Sequence, residues 1–416
     1  MPETRPSPTS ASAPERGDAL RSRTFRTLLF SELVSLIGDR LVIVALVALV
    51  YEQTRSAATV GILMLLKAVP AVALGGIAGA LGDRWNRQWV MVGANLAQGL
   101  LVLLIPMTGS LTVLFVTYFA MSVVNQLFVP ARAATIPDLV PPAALMSANS
   151  MFGAATVGAI AIGPAVGGWV GERFGLDAAF YLDSVTFLVP ALAVALVRLP
   201  ATGGSPGIGG RGLGVQTRAG WQFVRRDQRL LVALAGTVGA FLVVGVMSVL
   251  GVVVAKDTLG LGTGGFGTMM SAMGVGMLAG VVLVGRRGSG ARIDRSRLGL
   301  IGLLFTGLTL GLLPMVTLVP GAMLLAAVMG AGVLTVQIST QTTLQGVPRE
   351  IRGRVLGLNQ TATGVAQLIA TVMTTLLAGS IGAAAVLLCT GCLVAGVALA
   401  LLLIVRPHLR PEGSTS

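Results

Sequence analysis

Residues 57–107 read AATVGILMLLKAVPAVALGGIAGALGDRWNRQWVMVGANLAQGLLVLLIPM. Two apolar runs flank one polar break, Gly82-Asp83-Arg84-Trp85-Asn86-Arg87. Each run reaches the roughly 20 residues that a helix needs to cross a bilayer. The break has room only for a turn, so the stretch predicts two antiparallel membrane helices.

The same alternation continues on both sides. It predicts further spans, giving 25–50, 57–82, 88–107, 111–131, 145–170, 177–198, 229–254, 264–285, 297–317, 321–344, 355–378 and 381–405. The turns at Met107–Ser110 and Gly379–Gly382 are very short and require antiparallel neighbours. Composition agrees: 54% of residues are hydrophobic and 11% charged, and mean hydropathy is +0.86. A soluble domain carries about 25% charged residues, so much of this exterior must face lipid. The 56 glycines suit close helix contact where lipid gives no hydrophobic drive between helices. The stripe Ala272, Gly276, Gly280 is such a contact surface; no strand precedes it and no ribose-binding acid follows, so it does not read as a dinucleotide loop.

Charge placement orients the array. The net charge is +13, and 24 of the 29 basic residues fall in the two tails, the linker and the even-numbered breaks. Only Arg55, Arg173 and Lys256 occupy the opposite side. Cations accumulate on the cytoplasmic side, so both tails are expected inside, and the high isoelectric point requires no nucleic acid. No secretory signal is evident in the polar segment before the first span. Cys389 and Cys392 form a CxxC inside an apolar run, without the accessible thiolate a redox pair needs; they are expected to be packing residues.

The expected division is a tail at 1–24, a six-helix half at 25–198, a linker at 199–228, a second half at 229–405 and a tail at 406–416. The linker is Gly-rich over Ala201–Gly214, and Trp221–Arg226 has the character of an amphipathic segment on the inner leaflet. Six and six spans around a cytoplasmic linker fit a two-lobed alternating-access carrier. The expected class is therefore an all-α membrane protein of twelve transmembrane helices in two pseudo-symmetric halves.

Three groups of motifs carry a family resemblance. Gly79-Ala80-Leu81-Gly82-Asp83-Arg84, followed by Arg87, resembles the loop signature of the major facilitator superfamily. Gly163-Pro164-Ala165-Val166-Gly167-Gly168 resembles the GPxxGG core found in its proton-exchanging exporters. Ser35–Asp39, Pro130-Ala131-Arg132, Ile136–Val140, Gln345–Glu350 and Arg352–Val355 resemble the macrolide-efflux and siderophore-export branch. The resemblance runs over about residues 24–406. It implies that Gly79, Asp83, Arg84 and Arg87 form a cytoplasmic latch, with Asn86 standing where Gly is usual; a solvated loop pair is the plainer alternative. It implies that Gly163, Pro164, Gly167 and Gly168 make a helix bend, and Pro164 does remove a backbone donor there.

Ionisable residues within spans are costly and become site candidates. Asp39 and Lys67 lie about ten residues from the outer ends of spans one and two, at similar depth by a rise of about 1.5 Å per residue. Asp39, with Glu32 seven residues earlier, Arg40 and Lys67, is the expected proton and substrate coupling group; a structural pair with Lys67 or Arg40 is the alternative. Asp183 lies in the outer part of span six. Asn95, Asn125, Gln126, Gln337, Gln341 and Asn359 are polar candidates for a cavity lining or for helix–helix hydrogen bonds.

No phosphate-binding GxxxxGK[ST] loop occurs, and the single histidine, His408, lies in the tail. No catalytic residues, metal site or cofactor are expected. The resemblance implies a secondary transporter, not an enzyme, exporting small amphipathic molecules by proton antiport. Its partners would be a small-molecule substrate, protons and membrane lipid; it would act as a monomer in the cytoplasmic membrane. Arg outnumbers Lys 27 to 2, which suits a GC-rich bacterial source. The rivals are a lysophospholipid carrier of the same superfamily and a non-transporting scaffold or sensor.

Overall fold

The computed structural model describes residues 22–82, 85–197, 221–288 and 295–404. The helices are α1 (Arg23–Thr54), α2 (Ala57–Gly82), α3 (Arg87–Thr108), α4 (Leu111–Leu139), α5 (Leu145–Phe174), α6 (Leu176–Leu196), α7 (Gln228–Val253), α8 (Thr263–Gly288), α9 (Arg295–Leu312), α10 (Val319–Gln345), α11 (Arg349–Ile381) and α12 (Ala383–Ile404). Among the described residues eleven of these are long and apolar enough to cross a membrane, and α2 offers the shorter apolar stretch Ala57–Ala71. No strand occurs among them. The chain is an all-α, multi-pass membrane protein.

Local chemistry sets the helix ends. Ser22 caps α1 by accepting from Phe25 N, and Asp227 caps α7 by accepting from Arg229 N at 2.8 Å. Gly109 (φ 61°) and Gly382 (φ 85°) adopt left-handed backbone where α3 and α11 reverse into the next helix. A side chain would strain both turns. Several helices outrun their expected edges. The fourth continues through Pro130 and Pro137 to Leu139, because neighbouring packing in a membrane helix tolerates proline.

The helices form two groups with one packing scheme. In the first group α1 packs on α5 and α6, α3 on α4 and α6, and α2 on α4. Each contact recurs six helices later: α7 on α11 and α12, α9 on α10 and α12, and α8 on α10. The main contacts between groups, α5 with α8 and α2 with α11, exchange under the same shift. The stripe Ala272, Gly276, Gly280 does pack a neighbour: Gly276 meets Ala327 and Gly280 meets Ala331 on α10. Cys389 and Cys392 correct the expectation made for them, because both are exposed on α12.

The groups converge at one end. A Cβ built at Gly168 would lie 2.9 Å from the Thr263 carbonyl oxygen and 3.0 Å from Gly264 Cα; at Gly61 it would lie 2.8 Å from Thr375 Cβ. Toward the opposite end of α5 and α11, Gly153, Gly158, Gly353, Gly357 and Gly364 face open space. The tight end carries the turns expected outside; the open end carries the first residues of α1 and the last residues of α12.

Candidate functional site

The GPxxGG stretch places α5 between two neighbours. Gly163 and Gly167 face α1, where a Cβ would come within 2.5 Å of Arg40 Cβ and of the Leu41 carbonyl oxygen respectively. Gly168 faces α8. Just after Pro164, the Ala165 N–H donates to Ser271 Oγ on α8 at 2.8 Å. One segment thus contacts the helix bearing Asp39 and the other helix group together.

Asp39 lies on the exposed side of α1 although the following residues Leu41, Val42 and Val44–Ala48 are buried. Lys67 on α2 is exposed and Arg40 half-buried, and the charges of both act on Asp39. No ion pair joins Asp39, Arg40 and Lys67 among the described residues. Tyr118 on α4 is buried at 6% exposure, its hydroxyl has no hydrogen-bond partner among the described residues, and the charges of Asp39 and Arg40 reach it. Two cations, one carboxyl and one free phenol therefore gather at mid-span.

Glu32 stands apart. It is 3% exposed and pairs with Arg132 of α4, whose guanidinium carbon lies 5.9 Å from the Phe128 ring centroid. Although Glu32 precedes Asp39 by seven residues, Glu32 is buried and ion-paired where Asp39 is open.

The loop motif is seen in part. Asp83 and Arg84 lie outside the described residues, as do the side chains of residues 75–82 at the end of α2, where Gly79 falls. Arg87 bonds Asp138 and the Ala134 carbonyl of α4, each at 3.1 Å. Asn86, in the place usual for glycine, caps α3 by accepting from Gln88 N and Trp89 N. Gln88 donates to the carbonyls of Val194 and Val197 at 2.8 and 2.7 Å, tying α3 to the end of α6.

The polar candidates divide. Asn95 is 1% exposed and returns its amide to the Met91 carbonyl, so it serves packing and lines no open space. Gln126 bonds back to Ser122, Asn125 and Gln337 are half-buried, and Gln341 is exposed. Asn359 is buried with Oδ1 unpartnered. A groove of about 530 Å³ between α3 and α4, lined by Trp85, Trp89, Gly93 and Val124, contains no ionisable group.

The closed end has its own polar cluster, which sequence reading missed. A π-turn at Val254–Thr258 follows α7 and presents Lys256 and Asp257. Tyr51 of α1 donates to Asp257, Lys256 pairs with Glu52, and Thr263 donates to Glu52 at 3.2 Å. Only the position of these residues at outer span ends was visible in sequence; their partners lie some 200 residues away.

The sequence profile of the Major Facilitator Superfamily matches residues 28–347 and 238–416. The MFS-type transporter YfiS of Bacillus subtilis (strain 168) is 27% identical over 381 residues, covering 88% of this chain and 89% of that protein. Macrolide efflux protein A of Streptococcus pyogenes is 27% identical over 184 residues, 43% of this chain and 45% of that protein. Among solved structures, the nucleoside transporter NupG superposes with a TM-score of 0.68 at 14% identity, covering 92% of this chain and 99% of that one. The POT family transporter PepTSo gives 0.70 at 11% identity, covering 92% and 97%.

Proposed function

Because this chain belongs to the major facilitator superfamily, we propose that it is a secondary transporter that exports small amphipathic molecules in exchange for protons, by alternating access. It acts as a monomeric carrier, not an enzyme, in the cytoplasmic membrane of a bacterium, with twelve spans, two six-helix halves and both tails inside. In that orientation the present conformation is open to the cytoplasm.

One observation carries the reading: an exposed carboxyl at mid-span, Asp39, stands beside a packing seam on which both helix groups meet. Coupling follows from competition. Ionised Asp39 attracts a positive group on the substrate, a proton neutralises the same carboxyl, and the two exclude each other. Arg40 and Lys67 moderate that attraction, and Gly163–Gly168 transmits movement of α1 to α8. Arg87, with Asp83 and Arg84, forms the cytoplasmic latch of the opposite state.

The two unpaired cations favour a second reading, a lysophospholipid carrier in which Arg40 and Lys67 hold a phosphate. Purified protein in liposomes with a trapped pH dye separates the two. Proton movement on adding a macrolide or a lipophilic cation, lost in Asp39→Asn, supports export by antiport. Transfer of lysophospholipid with no response to those compounds supports the lipid carrier and overturns the first reading.

A further inference from the structure

Asp183 of α6 is fully buried, at 0% exposure, and its Oδ2 has no hydrogen-bond partner among the described residues. No cation pairs with it among the described residues. Glu32, buried almost as deeply in the same helix group, has Arg132. An ionised carboxylate placed like Asp183 lacks what Glu32 possesses, and burial without a partner costs so much that such a group takes up a proton.

Hydrogen-bond geometry points the same way. Thr186 Oγ1 lies 2.8 Å from the Asp183 carbonyl oxygen and 3.0 Å from Asp183 Oδ1. A hydroxyl has one hydrogen to give. Threonine in a helix commonly gives it to the carbonyl one turn back. Oδ1 therefore receives at most a share of that one hydrogen, and Oδ2 receives none, which leaves a negative charge on this carboxyl almost without support.

Across the interface, Oδ1 packs against Gly38 of α1, the residue before Asp39. The helices packed on α6 bring few other charges. Helix α1 brings Arg23 and Arg26 at its first turn, then Glu32, Asp39, Arg40 and, at its last turn, Glu52; α5 brings Glu172 and Arg173 at its outer end; α3 brings Arg87 at its opposite end. Of these, Asp39 is the one whose charge acts on Asp183. Two carboxyls on either side of Gly38 thus interact, one open and one sealed.

We propose that Asp183 carries a proton and is the second proton-binding carboxyl of this carrier, exchanging that proton with Asp39 around Gly38 as α1 and α6 shift between conformations. In the exchange an O–H bond breaks on one carboxyl and forms on the other, so that acid and carboxylate trade places. The inference rests on the antiport reading for its role in transport but not for the presence of the proton.

Infrared spectroscopy of the purified full chain in liposomes tests it across a pH series. The expected result is a protonated-carboxyl band at neutral pH that Asp183→Asn removes without unfolding, since asparagine is neutral, matches the carboxyl in size and keeps an oxygen that accepts from Thr186. In Asp39→Asn the Asp183 band should titrate over a different pH range than in the wild type. Absence of the band from the wild type overturns the proposal, as does a band that persists across the whole series and ignores Asp39→Asn. Proton movement driven by added tetraphenylphosphonium is the separate check on the parent reading. A wild-type response retained in full by Asp183→Asn overturns this inference alone; substrate exchange without proton movement in the wild type overturns antiport and the transfer step with it.

Discussion

Gly38 rests against the carboxyl of Asp183, and Asp39, one residue further along α1, stands on the helix's exposed side. The Gly-Asp pair of span one therefore does two jobs. The glycine lets α6 approach; the aspartate meets open space at the depth of Lys67.

Gly38→Ala should weaken the α1–α6 contact. Its Cβ would lie 2.8 Å from Thr186 Cβ and closer still to Thr186 Oγ1 and Asp183 Oδ1. Overpacking of this kind costs about 1–3 kcal/mol. A lowered Tm in detergent is the expected outcome, and an unchanged Tm would mean that α6 withdraws freely.

Asp39→Asn should leave folding intact, because the side chain is exposed and makes no ion pair among the described residues. Coupled transport should fall to background, and the affinity for a cationic substrate should fall with it, because asparagine mimics the protonated carboxyl. Retention of proton coupling in this variant would remove Asp39 from the mechanism.

The fold was legible in sequence because its signals are local. Span length and glycine turns such as Gly109 each act within a few residues. The site was legible only as a set of costly residues. Asp39, Lys67 and Glu32 could be flagged by charge, but their partners come from other helices. Nothing near Glu32 in sequence specifies Arg132, and nothing near Tyr51 specifies Asp257. Asn95 and Asn359 look alike as polar residues in apolar runs, yet one is spent on its own helix and the other is left with a free oxygen.

Binding should depend on pH with a sign that reveals the substrate's charge. A cation held by ionised Asp39 competes with the proton, so its affinity falls as pH drops through the titration, approaching about tenfold per pH unit. An anion held by Arg40 and Lys67 gains affinity over the same range, because protonation removes the competing carboxylate. Isothermal titration with a lipophilic cation and with a lysophospholipid, at two pH values, reads the sign directly.

Glu32 and Arg132 should show strong non-additivity. Breaking a buried pair by removing one partner costs about 3–5 kcal/mol, whereas replacing both is often close to neutral. Arg132→Met alone should therefore lower Tm sharply, and adding Glu32→Gln should restore much of the loss. Simple addition of the two effects would show that Glu32 is already relieved by water or by a proton.

At the closed end the two polar contacts should differ in weight. Glu52 is partly exposed, and an exposed ion pair such as Glu52–Lys256 contributes about 0–1 kcal/mol. Tyr51 is 3% exposed and donates to a carboxylate, a type of hydrogen bond worth about 1.5–3 kcal/mol. Tyr51→Phe removes that donor, so it should release the closed end more than Glu52→Gln does. Spin labels on the outer ends of α1 and α8, in a background lacking Cys389 and Cys392, should report a larger fraction of widened distances for Tyr51→Phe. The reverse order would place the hold on Glu52, through its contacts with both Lys256 and Thr263.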